Sequence, residues 1–387
     1  MRNPAPESDR SLLSVSLVDF RGYPQYTKSL KLRYEANRER RWSVAFEKLA
    51  VLGVGAIGSN IGAYLTRAGR DVTLIDMWPA HVEEMKRHGL KVTPQEEEFT
   101  VQVKAVHLAD VSSLREQFDV VFLSVKSYDS VWSAHFIQPY LKPGGVLVSA
   151  QNGINEDWLA PIIGYTRIIG CVVTLGAGLY EPGHVTRTST ASRPAFALGE
   201  LNGMVTPRLQ ELVTLLTPVG PAHTTSNLWG ERWSKLITNS MSNAIAGITG
   251  MSSGELRASP DVFPITVKIA SEALTVAERL GVQVEPVGGI PAKVFLDAAR
   301  GVGLEELLKA RSEQGRALRA GRPSLLQDMT KGRHAEVDYL NGYVVRRGRE
   351  VGVPTPMNEA IVQVTKQVEA GELPQGPANL KLLTRHL

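Results

Sequence analysis

Residues 48–76, KLAVLGVGAIGSNIGAYLTRAGRDVTLID, constrain the fold more than any other stretch of the chain. A short apolar run, Lys48–Leu52, has the length and branching of a buried strand. Gly53, Gly55 and Gly58 follow in G-x-G-x-x-G spacing, an apolar helix over 60–67 closes at Gly69, and a second apolar run, 72–75, ends on Asp76. In this context the first glycine allows a tight turn and the second lets backbone approach a pyrophosphate. The third lets the helix pack close to the strand. The helix N-terminus faces the anion, and an acid about 20 residues on takes ribose hydroxyls. The pattern predicts a dinucleotide site built from Gly53, Gly55, Ala56, Ile57, Gly58 and Asp76.

With 387 residues the chain is too long for one ordinary core, so two domains are expected. No apolar run approaches the ~20 residues that span a bilayer, so no membrane association is expected. The single cysteine, Cys171, excludes an intramolecular disulfide and fits a reducing, cytoplasmic setting. Its strand-like IIGCVVTL surroundings read as a buried apolar position rather than a reactive thiol. The net charge of +4 is local: residues 1–48 hold ten Lys/Arg against six Asp/Glu, which is the whole excess. No nucleic-acid footprint follows from it. Residues 1–45 lack an apolar segment with a small-residue cleavage site and carry acids throughout, which argues against secretory and mitochondrial leaders. They read as an extension of unassigned role, docked or disordered.

From Lys48 strand and helix alternate. A helix over 79–88 ends at Gly89, FDVVFLSVKSYD (118–129) reads as a buried strand opening into a polar turn, and SVWSAHFIQPYL follows as a helix. After a KPGG turn come VLVSAQNGINE (146–156) and RIIGCVVTL (167–175). Such alternation predicts a parallel sheet with helices on both faces and a ligand crevice at the strands' carboxyl ends. Lys126 and Asn152 stand at such ends. Residues 183–200 read as a hairpin finishing this domain, before a helix over 206–216 and an extended piece through Thr224. Helical patterns then dominate, over 231–246, 262–281, 291–319 and 334–351, with a loose terminus from Glu369. The expected fold is an α/β N-terminal Rossmann-like domain (46–226) with a parallel sheet, plus an all-α C-terminal domain (227–387).

The second domain carries an odd polar stripe. Lys235, Asn239 and Asn243 lie at i, i+4 and i+8, on one helical face. Burying them unpaired costs several kcal/mol. Two readings fit: amides and ammonium hydrogen-bonded across a domain interface, or a desolvated lysine whose lowered pKa lets it exchange a proton with a carbonyl oxygen. Farther on, Ser324 reads as a helix N-cap after Pro323, Asp328 as a cap or bridge around Gly332, and Glu336 as the first-turn acid of a helix over 336–347.

Taken together, GVGAIGS, SVKSYD, QNGINE, the W-x-K-L-x-x-N-x-x-x-N helix, PSLLQD…GRHAEVDYLNG and VGVPTP resemble the ketopantoate reductase (2-dehydropantoate 2-reductase) family over roughly four-fifths of the chain. The resemblance implies an NAD(P)-dependent reductase of a small 2-oxo acid. It makes Lys235 the general acid/base, with Asn239 and Glu336 beside it in the catalytic set, and it makes Ser324 and Glu336 substrate contacts. Asn152, Asn239 and Asn243 also fall on the substrate side, and Lys126 and Asn152 face the cofactor. One departure stands out. Members using NADPH commonly place an arginine after the second strand, whereas this chain offers Asp76, Met77 and Trp78. A carboxylate there accepts from the ribose hydroxyls and repels a 2′-phosphate, so NAD(H) is expected unless Arg70 or Lys86 compensates. Two alternatives follow: an NAD-dependent D-2-hydroxyacid dehydrogenase acting on branched or aromatic acids, and a non-catalytic dinucleotide-binding sensor. Apolar helices in the second domain make a homodimer an expectation.

Overall fold

The computed structural model describes residues 46–309 and 321–387, and the expectation for residues 1–45 lies outside them. Residues 46–387 form one compact unit. Its centre is β1 (Lys48–Leu52), whose last four residues are buried because the strand has neighbours on both edges and helices on both faces. The glycine turn then leads into α1 (Ala56–Arg67), which begins directly at the turn, and β2 (Asp71–Asp76) pairs parallel with β1. The helix α2 (Pro79–His88) follows and stops at Gly89, as the pattern predicts.

Three short strands that the sequence does not announce come next: β3 (Leu90–Thr93), β4 (Phe99–Val101) and β5 (Lys104–His107). At three or four residues each, they are too short for alternation to register. Then come β6 (Phe118–Leu123), α3 (Ser130–Ile137), β7 (Leu141–Ser149), α4 (Glu156–Ile163) and β8 (Ile168–Val173). The strand β7 includes the expected KPGG turn, and its register with β6 shifts there.

The expected hairpin over 183–200 does not form. It follows β9 (Ala177–Glu181) and contains β10 (His184–Arg187) and β11 (Phe196–Glu200), but these last two lie in different sheets. β10 pairs with β3 and β9, and β11 pairs antiparallel with β8. The intervening TSTASRPA is long enough to cross between layers, and each strand finds a better-matched partner than the other. With α5 (Pro207–Leu216) and β12 (Ala222–Thr224), the main sheet has the order β12-β11-β8-β7-β6-β1-β2-β5, six strands parallel and the first two reversed. The smaller sheet runs β4-β3-β10-β9. Separate apolar clusters fill the two faces of the main sheet, one under α1, α5 and the small sheet and the other under α3 and α4.

Beyond Thr224 the described chain is helical and has its own core. The expected helix over 231–246 is two helices, α6 (Leu228–Ser240) and α7 (Asn243–Thr249). At the break, Ser242 Oγ donates to the Thr238 carbonyl (2.9 Å), a back-bond that bends helices. α8 (Ser253–Ala258) carries a full capping box, and α9 (Val262–Arg279) is the central helix. The helix expected over 291–319 is interrupted: α10 (Ala292–Ala298) ends before Gly301 and Gly303, both left-handed, and a second helical run covers 304–309. Its continuation lies outside the described residues.

α11 (Ser324–Thr330) stops short of Gly332 (φ +64°), which is the expected break. Glu336 does not open a long helix. It sits on a 3₁₀ turn, Glu336–Tyr339, and α12 (Asn341–Val351) starts only after Leu340. The tail beyond α13 (Pro356–Glu369) is not loose. Gln375 Nε2 and Asn379 Nδ2 donate to the Gly247 and Ile248 carbonyls (2.7 and 2.9 Å), serving acceptors that the end of α7 leaves unpaired. Leu380 and Leu383 of α14 (Leu380–Thr384) are buried. No described helix is long and apolar enough to cross a membrane.

Candidate active site

A cleft of about 1400 Å³ opens along the carboxyl ends of β1, β2, β6 and β7 and is closed on its other side by α6, α7, α11 and the loop 331–336. Every site residue singled out in the sequence lines it except Gly58. Gly58 lies beneath the turn: a Cβ there would stand 2.1 Å from the Gly53 carbonyl oxygen, so only glycine lets α1 start this close to β1. Gly53 (φ +88°) is equally constrained, by the Val125 backbone nitrogen at 2.7 Å from a notional Cβ. In front of Gly55 nothing lies within 4 Å of that position. A bound pyrophosphate needs this combination of close packing behind the turn and open space before it.

Asp76, at the end of β2, accepts from the Val54 N–H (2.6 Å) and the Trp78 N–H (2.8 Å), which fixes its carboxylate at the rim of the turn. Lys86 pairs with Glu83 on α2 (3.0 Å). Buried His81 underpins the same corner. Its Nδ1 accepts from the Gly183 N–H (2.8 Å), so Nε2 carries the proton donated to the Val54 carbonyl (2.9 Å), and burial holds the ring neutral.

At the end of β6, Lys126 meets two acids from the helical domain: Asp328 at 2.5 Å and Glu336 at 3.0 Å. Glu336 Oε1 also takes the Ser127 N–H and hydroxyl, both at 2.9 Å. Burial pushes Glu336 up, but Lys126 and Ser127 outweigh it and hold the carboxyl below its usual range. For Asp328 burial wins, and its carboxyl rises. Burial opposes the Lys126 charge, but the two carboxylates overcome it and raise its pKa. The expected capping role of Asp328 is thus wrong for its side chain. Only its backbone carbonyl serves the turn, accepting from the Arg333 N–H (2.9 Å). The partners missed in the sequence, Ser127 and Asp328, lie about 200 residues apart along the chain, beyond any spacing rule.

The polar stripe divides between the two readings offered above. Asn239 Nδ2 donates to Asn152 Oδ1 across the cleft (3.1 Å), and Asn243 Nδ2 donates to Ser324 Oγ (3.0 Å). Ser324 is therefore no N-cap; Pro323 holds that position. Lys235 has no hydrogen-bond or ion-pair partner among the described residues, and burial, helped by Arg193, brings its pKa down to about 8. One turn earlier, buried Arg232 pairs with Glu156 and donates to the Ser149 and Gln151 carbonyls (2.8 and 2.9 Å), clamping α6 to the end of β7. The cleft thus holds an unpartnered amine of lowered pKa together with the glycine turn. Among the described residues no cluster of side chains could hold a metal.

The ketopantoate reductase PanE/ApbA model matches residues 49–203, and the model of its C-terminal domain matches residues 227–369. The 2-dehydropantoate 2-reductase of Archaeoglobus fulgidus is 28% identical over 84% of this chain and 99% of its own, and that of Aquifex aeolicus 29% over 84% and 97%. Among solved structures, D-mandelate dehydrogenase with NADH and anilino(oxo)acetate aligns at TM-score 0.73 and 25% identity, covering 84% of this chain and 99% of that one. A ketopantoate reductase from Ralstonia eutropha aligns at 0.69 and 27%, covering 84% and 99%. An α/β domain with a dinucleotide turn, a helical domain supplying a lysine, and matches to both family models lead to one assignment: the chain belongs to the ketopantoate reductase PanE/ApbA family of NAD(P)-dependent oxidoreductases acting on CH–OH groups.

Proposed function

We propose that the protein reduces a small 2-oxo acid to the 2-hydroxy acid in the manner of 2-dehydropantoate 2-reductase, converting ketopantoate or a related acid. The observation that carries this reading is the Lys235 ammonium, unpartnered and partly dried, in the same cleft as the glycine turn. The nicotinamide supplies hydride to C2 when bound. Residues 46–226 hold the dinucleotide, with Gly53, Gly55, Ala56 and Ile57 at the pyrophosphate and Asp76 at the ribose, while residues 227–387 hold the acid. Lys235 gives its proton to the C2 oxygen as charge develops there, and takes it back in oxidation. Asn152 and Asn239, already joined, orient that oxygen. Ser324 and Asn243 bind the carboxylate end, and Glu336 accepts from a substrate hydroxyl where one is present. Lys126, held by Asp328 and Glu336, orients the nicotinamide ribose. Water excluded from the cleft strengthens each of these contacts.

Asp76 supports NAD(H) over NADP(H), because a second anion beside it is repelled. The same residue, with the likeness to an NADH-bound D-mandelate dehydrogenase, favours a second reading, an NAD-dependent D-2-hydroxyacid dehydrogenase acting on branched or aromatic acids. The test is to follow the absorbance of NADH and NADPH with ketopantoate, branched and aromatic 2-oxo acids. Turnover of ketopantoate supports the first reading, and turnover confined to the others supports the second. Binding of cofactor without oxidation by any acid overturns both and leaves a sensor.

A further inference from the structure

The loop leaving α11 carries two cations to the cleft, Lys331 and Arg333, and neither has a carboxylate partner among the described residues. Lys331 Nζ donates to the Leu179 carbonyl of β9 (2.7 Å) and lies 4.5 Å from the centre of the Tyr180 ring. Left-handed Gly332 then turns the chain, and the Arg333 guanidinium reaches back to 5.9 Å from the centre of the Trp78 ring. Trp78 stacks on His81, whose Nε2 is bonded to Val54 inside the glycine turn, and its own N–H is on Asp76. Arg333 is therefore an exposed cation delivered by the helical domain to the strip between the pyrophosphate end and the ribose end of the nucleotide site.

The charges nearby give it a purpose. Lys126 is already matched by two carboxylates, and Lys235 stands with the substrate residues. Burial first, and then the like charge of Arg333, lowers the proton affinity of Lys331, with Asp328 pulling the other way. Two like charges on one loop at a cleft mouth, where the Asp328 carboxylate that acts on Lys331 is already paired with Lys126, are costly until a further anion arrives. A guanidinium offers the planar fork that phosphate oxygens accept.

We propose that Arg333 binds a phosphate of the dinucleotide from the helical-domain side, so that cofactor binding pulls the 331–335 loop onto the nucleotide domain. This rests on the nicotinamide-dependent reading above. The contacted phosphate is the pyrophosphate or a 2′-phosphate, and the chemistry of recognition is the same for both.

Binding of NADH and NADPH, followed by quenching of tryptophan fluorescence and by calorimetry, tests it in the wild type, Arg333→Lys and Arg333→Met. Arg333 is exposed, so neither substitution threatens the fold. The Met variant is expected to lose about 10- to 100-fold in affinity and part of the salt dependence of binding, with Arg333→Lys in between. Equal losses for both cofactors assign the pyrophosphate, and a loss confined to NADPH assigns the 2′-phosphate. Unchanged affinity and salt dependence for both cofactors in Arg333→Met overturn the proposal. Failure of the wild type to bind either cofactor overturns instead the reading on which it rests.

Discussion

Replacing Lys235 by methionine separates a lysine kept for chemistry from one kept for packing. In the fold its pKa stands at about 8 against 10.5 for the free side chain. At 1.36 kcal/mol per tenfold change this disfavours the ammonium by about 3 kcal/mol, which partial exposure reduces to ~1–2 kcal/mol. The unfolded chain binds more protons between those two values, so wild-type stability rises with pH across that window. Lys235→Met removes the penalty. The apo variant is expected to melt about 2–4 °C higher below pH 8, with the gain shrinking as pH climbs toward 10.5. Its kcat for reduction should fall by about 10²–10⁴. The wild-type reduction rate should decline as pH rises through about 8, the oxidation rate should rise through the same point, and the variant should show neither limb. Scanning calorimetry and steady-state rates across pH measure both effects. A variant less stable than wild type at neutral pH, or one that keeps the pH limb, would refute the assignment of Lys235 as proton donor.

Three further outcomes test the surrounding geometry. Asp76→Asn, which removes the charge but keeps an acceptor for the turn, should move the NADPH/NADH ratio of kcat/KM by about 10-fold or more toward NADPH; a wild type that already prefers NADPH contradicts the role given to Asp76. Glu336→Gln should destabilise the apo protein by about 2–4 kcal/mol at neutral pH. Because the Glu336 pKa is lowered in the fold, its stabilisation is present above the usual 4.5 and fades as pH falls through the folded value, so the gap between wild type and variant should close in acid. Arg232→Met should cost about 3–5 kcal/mol in denaturant unfolding by stranding Glu156, and the double change Arg232→Met, Glu156→Leu should recover most of that loss.

The parts of this molecule that could be read in its sequence are those whose causes are local. The turn at Gly53–Gly58, the run into Asp76 and the Lys235–Asn239 part of the stripe are each fixed by neighbours within about 30 residues and appear as expected, whereas Asn243 opens a second helix and reaches the cleft from there. What failed was decided over longer range. Residues 183–200 contain two good strands, yet their partners, β3 and β8, belong to different sheets. The tail from Glu369 looks like a polar terminus until α7 is seen to need donors for its last carbonyls. Asp328 is a reasonable local cap, but an ammonium 202 residues away claims it. Even the break at Ser242 is visible only once its hydroxyl is known to bond backward to Thr238.

The contacts that escaped the sequence also support the proton-transfer role proposed for Lys235. Polar connections between the strand ends and the helical domain include Lys126 with Asp328 and Glu336, Asn152 with Asn239, and Arg232 with Glu156 and the β7 carbonyls. Each satisfies groups that would be costly to bury alone. Together they flank Lys235 on successive turns of α6 and at the facing strand ends, yet none of them engages it. An uncommitted amine amid paired neighbours is held in place without being neutralised. In the role proposed for it, its free energy goes into charge that appears only as the carbonyl is reduced, which is the condition for lowering a barrier rather than deepening a ground state.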